Sequence, residues 1–324
     1  MLKCFFLLGL QLTITCVCAQ HRLLQVVQQS EQTVAVVYLR TQRVLHHIPV
    51  GFKPHEITCD PVKGLCFVTD FGVEDYDTKL GTPGKTISVI DPIRGKRIRV
   101  IETTPDTAGN MPHGIKLRPG KYRELFINIE KGDSMLVLGA DSFQLIRKFP
   151  LPKGTHNFLF SADGSRLWLM CGAAGVAEID PTDGRVIHQL TTATPIRGLS
   201  VADTDLLASG QNELYLLSAE DLSIRKKLTD LGVKQLFYAA MDPVHKIIIA
   251  PAAFDSTVLL LEAKTGRLIN RIRTRKTPLQ VQCIAGKAYV THPLDNYLTI
   301  IDLKTCRIAG ELPVKGGNGM ALFP

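Results

Sequence analysis

The stretch AYVTHPLDNYLTIIDLKT, residues 288–305, contains the pattern that decides the fold. It has an apolar run ending at Val290, a polar corner around Asp295, a second apolar run, and Asp302 at the start of a turn. Short apolar segments bounded by turn residues indicate antiparallel β-strands. If this hairpin is repeated, the repeat determines the architecture of the whole chain.

The second half of the stretch does recur upstream. Aligning the residue that precedes each turn gives seven copies between Tyr38 and Asp302, at an average spacing of about 44 residues. The copies are VVYLRTQR (36–43), VIDPIRGK (89–96), VLGADSFQ (137–144), EIDPTDGR (178–185), LLSAEDLS (216–223), LLEAKTGR (260–267) and IIDLKTCR (300–307). Each copy is an apolar strand, a polar turn and a second strand.

Another hairpin precedes most copies, most clearly in PHEITCDPVKGLCFVTD and HNFLFSADGSRLWLM. Four short strands in about 40–45 residues are typical of a propeller blade, so we predict an all-β, seven-bladed β-propeller. A solenoid is the alternative, but the Gly- and Pro-rich turns favour a closed ring. The chain has one Trp and no Trp-Asp signature, which excludes the WD40 type.

The two ends of the chain predict how the ring closes. The first copy has three strand candidates, RLLQVVQQ, TVAVVYL and RVLHHIPV, whereas the chain ends in GNGMALFP, an inner strand with nothing after it to pair with. We expect this C-terminal strand to complete the N-terminal blade, because pairing the two removes the open edge of the ring.

Residues 1–19 differ from the rest of the chain. An early Lys3, an apolar stretch from Cys4 and small residues at Cys18 and Ala19 are typical of a secretory signal peptide, and the stretch is short for a membrane span. A buried N-terminal strand is the alternative. We therefore predict a signal peptide over 1–19, cleaved after Ala19, and one propeller domain over 20–324. The protein is expected to be secreted or periplasmic, monomeric, and without a membrane span after cleavage.

The cysteines predict few crosslinks. Three of the eight lie in residues 1–19, which leaves an odd number and therefore at least one free thiol or an intermolecular bond. CDPVKGLC would place Cys59 opposite Cys66 across a turn, so a disulfide or two packed thiols are both compatible with the sequence.

AYVTHP (288–293) and CFVTDF (66–71) resemble the strand motif of the YVTN family of propellers. The resemblance extends over residues 20–324 and implies the propeller fold. It covers both binding proteins and enzymes, and it identifies neither a substrate nor a partner. A subset of these propellers also has PHGI, an acid after the following strand, and a TH pair, all of which occur here.

Candidate site residues share a position within the repeat. His55, His113 and His156 each lie six residues before the turn that ends the first strand of a blade, and Arg197, Phe237 and Asn318 have the same spacing. In a propeller the first strands of the blades line the central channel, so these side chains should meet at one mouth. Asp70 and Glu130, at the ends of the next strands, should lie at its wall.

We therefore predict a ligand site made of His55, Asp70, His113, Glu130, His156 and Arg197. A divalent metal, with His55, His113, His156 and Glu130 as its ligands, is the one cofactor that these residues suggest, since imidazole and carboxylate are common metal ligands. The alternative is structural: each imidazole could bond a carbonyl of the neighbouring blade. The insertion DFGVEDYDTKLGTPGKT (70–86) is either a lid over this mouth or a solvated loop.

Several functions are disfavoured. There is no CxxCH, so no covalently attached c-type haem is expected, and no P-loop, GxSxG or Rossmann pattern occurs. The net charge of +8 suggests nucleic-acid binding as a possible function. However, the basic runs RGKRIRV and RLINRIRTRK fall on outer strands, where charged side chains prevent the exposed sheet edge from pairing with another sheet edge. No aromatic platform accompanies them, and we do not expect nucleic acid as a partner.

Two classes of function remain. The first is a binding module whose channel mouth holds a small molecule, anionic if Arg197 contacts it, or a loop of a partner protein. The second is a metal-assisted or His-based lactonase, lyase or isomerase that uses the same mouth. No complete catalytic constellation can be read from the spacing, so binding is favoured and the question of enzymatic activity is left open.

Overall fold

The computed structural model describes residues 23–74, 79–103 and 110–323. The predicted signal peptide lies outside these residues, as do Asp75, Tyr76 and Asp77 of the acidic insertion. The described residues form seven four-stranded antiparallel sheets, which confirms the predicted seven-bladed β-propeller. None of the helices in this part of the chain has the length and apolar character needed to cross a membrane.

Each blade uses four consecutive strands, apart from the first, which takes its innermost strand from the C-terminus. Two 3-10 helices, Gly172–Ala174 and Ala253–Asp255, interrupt the strands. The strands are β1 Leu23–Gln28, β2 Thr33–Tyr38, β3 Arg43–Pro49, β4 Pro54–Asp60, β5 Leu65–Asp70, β6 Thr86–Asp91, β7 Lys96–Glu102, β8 Pro112–Leu117, β9 Glu124–Ile129, β10 Ser134–Gly139, β11 Leu145–Pro150, β12 Asn157–Phe160, β13 Leu167–Met170, β14 Val176–Ile179, β15 Val186–Leu190, β16 Gly198–Ala202, β17 Asp205–Ser209, β18 Leu214–Ser218, β19 Ile224–Leu228, β20 Ala240–Asp242, β21 Ile247–Ala252, β22 Thr257–Glu262, β23 Leu268–Arg273, β24 Val281–Ile284, β25 Lys287–Val290, β26 Leu298–Asp302, β27 Arg307–Leu312 and β28 Gly317–Phe323.

The repeated turn has a physical cause in its aspartates. Oδ1 of Asp91 accepts hydrogen bonds from the backbone N–H groups of Ile93 and Arg94, and Oδ1 of Asp302 accepts one from the N–H of Thr305. Such side-chain bonds to the backbone two or three residues on stabilise tight turns. The outer hairpin of every blade also has a register shift after this turn, where a residue adopts positive φ. These residues are Gln42, Gly95, Phe143, Gly184, Leu222, Gly266 and Cys306.

The hydrophobic core lies between the blades. It consists of seven clusters of buried residues, and each cluster is contributed by two neighbouring blades. Val27 of the first blade and Val68 of the second share one cluster, and Leu24 of the first blade shares another with Ile300 of the seventh. Because each blade buries apolar side chains on both faces, the sheets are stable only when the ring is complete.

The ring closes as predicted. β28 pairs antiparallel with β1, with Leu24 opposite Leu322 and Val26 opposite Met320, so that the two ends of the chain form one sheet. The C-terminal strand thereby becomes the innermost strand of the first blade, which is the position held by β4, β8, β12, β16, β20 and β24 in the others.

Candidate functional site

The histidines enter the channel from irregular strand starts. The pairing of β4 with β5 shifts register between Pro54 and Ile57, and that of β8 with β9 shifts between Pro112 and Ile115. His55 and His113 lie within these shifts. Bulges of this kind re-aim side chains and are frequent beside functional sites. We call the end of the channel at which these innermost strands begin the mouth.

At these register shifts, side chains of neighbouring strands form hydrogen bonds with backbone groups that the regular strand pairing leaves without a partner. Thr69 Oγ1 accepts a hydrogen bond from the N–H of Glu56 at 3.0 Å and donates one to the carbonyl of His113 at 2.8 Å. In the third blade Asn128 Oδ1 accepts from the N–H of Gly114 at 3.4 Å. Thr69, the Thr of the FVTDF segment, therefore links the two blades whose histidines meet.

The three predicted histidines and Glu130 lie together. The Nε2 atoms of His55 and His113 are 3.1 Å apart, and one of the two donates a hydrogen bond to the other. The ring centroids of His113 and His156 are 3.9 Å apart. Glu130 Oε1 pairs with Nδ1 of His156 and lies 3.9 Å from Nε2 of His113. Residues from three blades thus form one contiguous group, which we call the His–Glu cluster.

The His–Glu cluster is largely shielded from water. His55 and His113 are buried, whereas His156 and Glu130 are partly exposed toward the mouth. Phe71, also buried, packs edge-on against both buried rings, with centroid distances of 5.4 Å to His55 and 5.0 Å to His113. A charged ligand bound here would be screened less by solvent than at an open surface.

Electrostatics favour an ionised Glu130. Burial alone would raise the pKa of this carboxyl, but the charges of His113, His156 and His55, together with the hydrogen bond to His156, hold the pKa below its usual range. A carboxylate and two imidazoles are therefore the groups presented to a ligand.

This donor set fits a divalent metal ion. One ligand atom from each of His113, Glu130 and His156 can be chosen so that all three lie within 4.8 Å of one another. Atoms that share a tetrahedral zinc ion at about 2.0–2.2 Å are roughly 3.4 Å apart, so small side-chain movements would suffice for coordination. Two histidines and a glutamate also form one of the ligand sets of zinc sites that keep an open position.

Asp70 has a different environment. Its carboxylate accepts hydrogen bonds from the N–H of Gly51 at 2.9 Å and from the hydroxyls of Thr86 at 2.7 Å and Ser88 at 3.0 Å. A Cβ at position 51 would lie 2.2 Å from Cγ of Asp70, so only glycine permits this close approach. Burial outweighs these bonds and raises the pKa of Asp70 to about 6. The structure does not bring Asp70 into the His–Glu cluster.

Arg197 lies beside the cluster in a separate cavity. His156 and Arg197 line a space of about 340 Å³ together with Gln235, Phe237, Tyr238, Phe254 and Leu279. Arg197 is exposed, and among the residues that the structure describes no carboxylate forms an ion pair with it. The cavity thus joins a cationic group and the partly exposed side of the His–Glu cluster.

The sequence reasoning missed a second buried acid, Glu56. Its Oε1 accepts hydrogen bonds from Nε2 of Gln280 at 2.6 Å and Nδ2 of Asn157 at 3.2 Å, and its Oε2 lies 3.8 Å from Nζ of Lys116. Nδ1 of His55 is 3.8 Å from Oε1. Glu56, Lys116, Asn157 and Gln280 line a further cavity of about 200 Å³. The sequence did contain a signal for this group of residues. Glu56 directly follows His55 and Asn157 directly follows His156, and both are polar residues in innermost strands that are otherwise largely apolar.

The cysteines of the β4–β5 hairpin are directly opposite each other. Cys59 pairs with Cys66, their Cα atoms are 4.0 Å apart, and the two are joined by a disulfide. In the described part of the chain the thiols of Cys171, Cys283 and Cys306 are free.

Comparison with known proteins identifies the fold. No protein-family model and no curated protein matches the chain. Among solved structures it is similar to the dihydro-heme d1 dehydrogenase NirN in complex with DHE (TM-score 0.63, 12% identity, 92% of this chain and 74% of that one). It is also similar to the Kuenenia stuttgartiensis hydrazine synthase (0.65, 18%, 85% and 90%). A third similar structure is the computationally designed Ika8 protein (0.62, 10%, 91% and 86%). At these identities the likeness extends to the propeller fold alone.

Proposed function

We propose that this chain is an exported binding module whose channel mouth holds a divalent metal ion and, next to it, a small anionic ligand. The observation that carries the proposal is the convergence of His113, Glu130 and His156 from two blades, with donor atoms within 4.8 Å. Zinc is the ion that best matches two imidazoles and one carboxylate. His55 lies beside the proposed ligands, with its ring centroid 3.9 Å from that of His113, and would restrict the position of the His113 ring by packing.

Arg197 supports an anionic ligand. Its guanidinium has no ion-pair partner within the described ranges and faces the same cavity as His156. A guanidinium pairs with carboxylate or phosphate oxygens through two parallel hydrogen bonds, which gives both affinity and orientation. One of the solved structures with this fold is described as a complex with DHE.

The predicted signal peptide supports export, and the AYVTHP and CFVTDF segments support membership in the YVTN family. N-terminal sequencing of the protein isolated from its native compartment tests the first inference. A mature chain that starts at Gln20 supports cleavage after Ala19, whereas a cytosolic chain that starts at Met1 contradicts it.

Metal analysis of the purified mature protein tests the proposed function. We expect about one zinc equivalent per chain after dialysis against zinc, and a loss of at least about 100-fold in zinc affinity in His156→Ala, since removing even a second-shell partner costs 10–100-fold. His46→Ala is the matched control, because His46 lies on the outer strand β3 and should not affect binding. Equal zinc binding by all three proteins, or none by the wild type, would refute a metal site in the His–Glu cluster.

A metal-assisted or His-based lactonase, lyase or isomerase is the second candidate. It is favoured by the bond between the imidazoles of His55 and His113, since a pair that shares one proton can take up and release protons beside a polarising ion. Turnover of a lactone by the zinc-loaded protein, lost in His55→Gln with zinc retained, would favour this function over simple binding.

A further inference from the structure

The cavity beside the His–Glu cluster has an unusual lining. Of the seven described residues that line it, three have phenyl or phenol rings, Phe237, Tyr238 and Phe254, and another is the buried Leu279. The rings of Phe237 and Phe254 meet edge to face, with centroids 5.7 Å apart and an interplanar angle of 83°. More than half of the Phe254 side-chain surface is exposed, although aromatic rings are usually buried. An exposed phenylalanine that lines the same cavity as an arginine needs a physical explanation.

We propose that the ligand of this cavity is a small aromatic carboxylate, with its carboxylate on Arg197 and its ring packed against the contacting pair Phe237 and Phe254. The inference rests on the proposed function, which places an anionic ligand at the mouth, and it adds the chemical class of that ligand. Among the described residues that line the cavity, Arg197 is the one Lys or Arg, so we place the negative charge of the ligand there.

The two phenylalanines determine which kind of group, apart from the carboxylate, the ligand should contain. Phe237 is half-buried and therefore held in place, while Phe254 lies in the short 3-10 helix Ala253–Asp255, which is itself fixed at the end of β21. Aromatic pairs prefer offset-stacked or edge-to-face contacts, so a planar ring gains more against these two side chains than a saturated ring of the same size. Exclusion of water by the rings would also strengthen the pairing with the guanidinium.

The size of the cavity limits the ligand to a small molecule. About 340 Å³ is at the lower end of the range of ligand pockets, which is roughly 300–1,000 Å³. This volume accommodates one or two fused rings with a carboxylate. Gln235, at the rim, can bond a polar ring substituent, because its amide both donates and accepts hydrogen bonds.

Three matched probes test the charge and the ring separately. 2-Naphthoate carries both features, 2-naphthamide removes the charge, and decahydronaphthalene-2-carboxylate removes the aromaticity. Affinities for the zinc-loaded and the metal-free mature protein would be measured by calorimetry, or by ligand-observed NMR where binding is weak. We expect naphthoate to bind about 10-fold or more tightly than naphthamide, since a charged hydrogen-bonded pair contributes at least this factor. Over the saturated acid we expect a preference of about 2- to 10-fold, which is the size of an aromatic–aromatic contribution.

The variants assign the effects to residues. Arg197→Gln should reduce naphthoate affinity about 10-fold or more and leave naphthamide binding unchanged. Phe254→Ala should reduce binding of both aromatic probes more than binding of the saturated one, because the aromatic contact is lost in addition to the apolar area. Arg94→Gln is the control, because Arg94 is an exposed arginine in the β6–β7 turn, at the opposite end of the ring from the mouth.

The outcomes separate this inference from the proposed function. If zinc binds and naphthoate shows no preference over either analogue, the aromatic-carboxylate inference is wrong and the metal site stands. If naphthoate binds selectively without zinc, the inference stands and the metal part of the proposed function fails. If neither zinc nor naphthoate binds, both are refuted.

Discussion

Replacing Asp70 by Asn tests whether this acid belongs to the ligand site or holds two blades together. The carboxylate is buried, and its three hydrogen-bond partners belong to the segment that links the first two blades and to β6. Asparagine has the same shape and can keep the bond from the N–H of Gly51, but it cannot ionise. The substitution therefore removes the charge with little change in packing.

The raised pKa of Asp70 determines how stability should depend on pH. Burial raises this pKa from 3.8 in the unfolded chain to about 6 in the folded protein. The fold thus favours the protonated carboxyl, and the stabilisation that Asp70 provides is fully present below pH 3.8 and is lost as the pH rises through about 6. Between pH 4.5 and 7.5 the linkage amounts to about 2 kcal/mol of unfolding free energy.

Urea unfolding of the wild type and of Asp70→Asn, each at pH 4.5 and pH 7.5, measures the contribution of Asp70 to the pH dependence of the unfolding free energy. Other groups also titrate, so the relevant quantity is the difference between the two proteins in their change with pH. We expect the wild type to lose about 2 kcal/mol more than the variant on going from pH 4.5 to 7.5. Zinc affinity should be the same in both proteins, because Asp70 is not part of the His–Glu cluster.

Two results would refute this reasoning. An identical pH dependence in wild type and variant would mean that Asp70 ionises as easily in the folded protein as in the unfolded chain. A variant that loses zinc or naphthoate binding, with unchanged stability, would show that Asp70 acts in the site after all.

Three further predictions concern the cluster and the ring. His113→Ala should abolish zinc binding; if His113 is instead only structural, zinc binding is unaffected and unfolding titrations show a loss of about 1–3 kcal/mol from the unpaired polar group. Deleting residues 317–324 should abolish soluble expression, because β1 loses its partner and the ring stays open; unchanged melting would contradict closure by β28. Gln32→Gly should raise the unfolding free energy by about 1 kcal/mol, since Gln32 is exposed at a φ of 56°, a region that suits glycine. Arg40→Gly, at an exposed turn position whose own φ is not positive, should lower it instead, and a gain there would argue against the conformational cause.

The sequence by itself determined the fold. Each blade is a local unit whose strands and turns are encoded within about 44 residues, so alternating apolar residues and turn aspartates could be counted directly. The unpaired strand at each end of the chain also predicted that β28 would pair with β1. The common position of His55, His113 and His156 in the repeat placed them at one end of the channel, since equivalent positions in a ring lie at the same level.

Only the tertiary structure decided which polar groups meet. Glu56 and Gln280 are 224 residues apart in sequence, yet their side chains lie 2.6 Å apart, because both blades face the same channel. Asp70 and Glu130 both lie at the end of the second strand of a blade, but Asp70 pairs with Pro54 whereas Ile129, the residue before Glu130, pairs with Pro112. Asp70 is held by Thr86, Ser88 and Gly51, while Glu130 contacts the histidines. Position along a strand is local information, whereas the direction and partners of a side chain depend on register shifts and on packing between blades. These become fixed only when the ring closes.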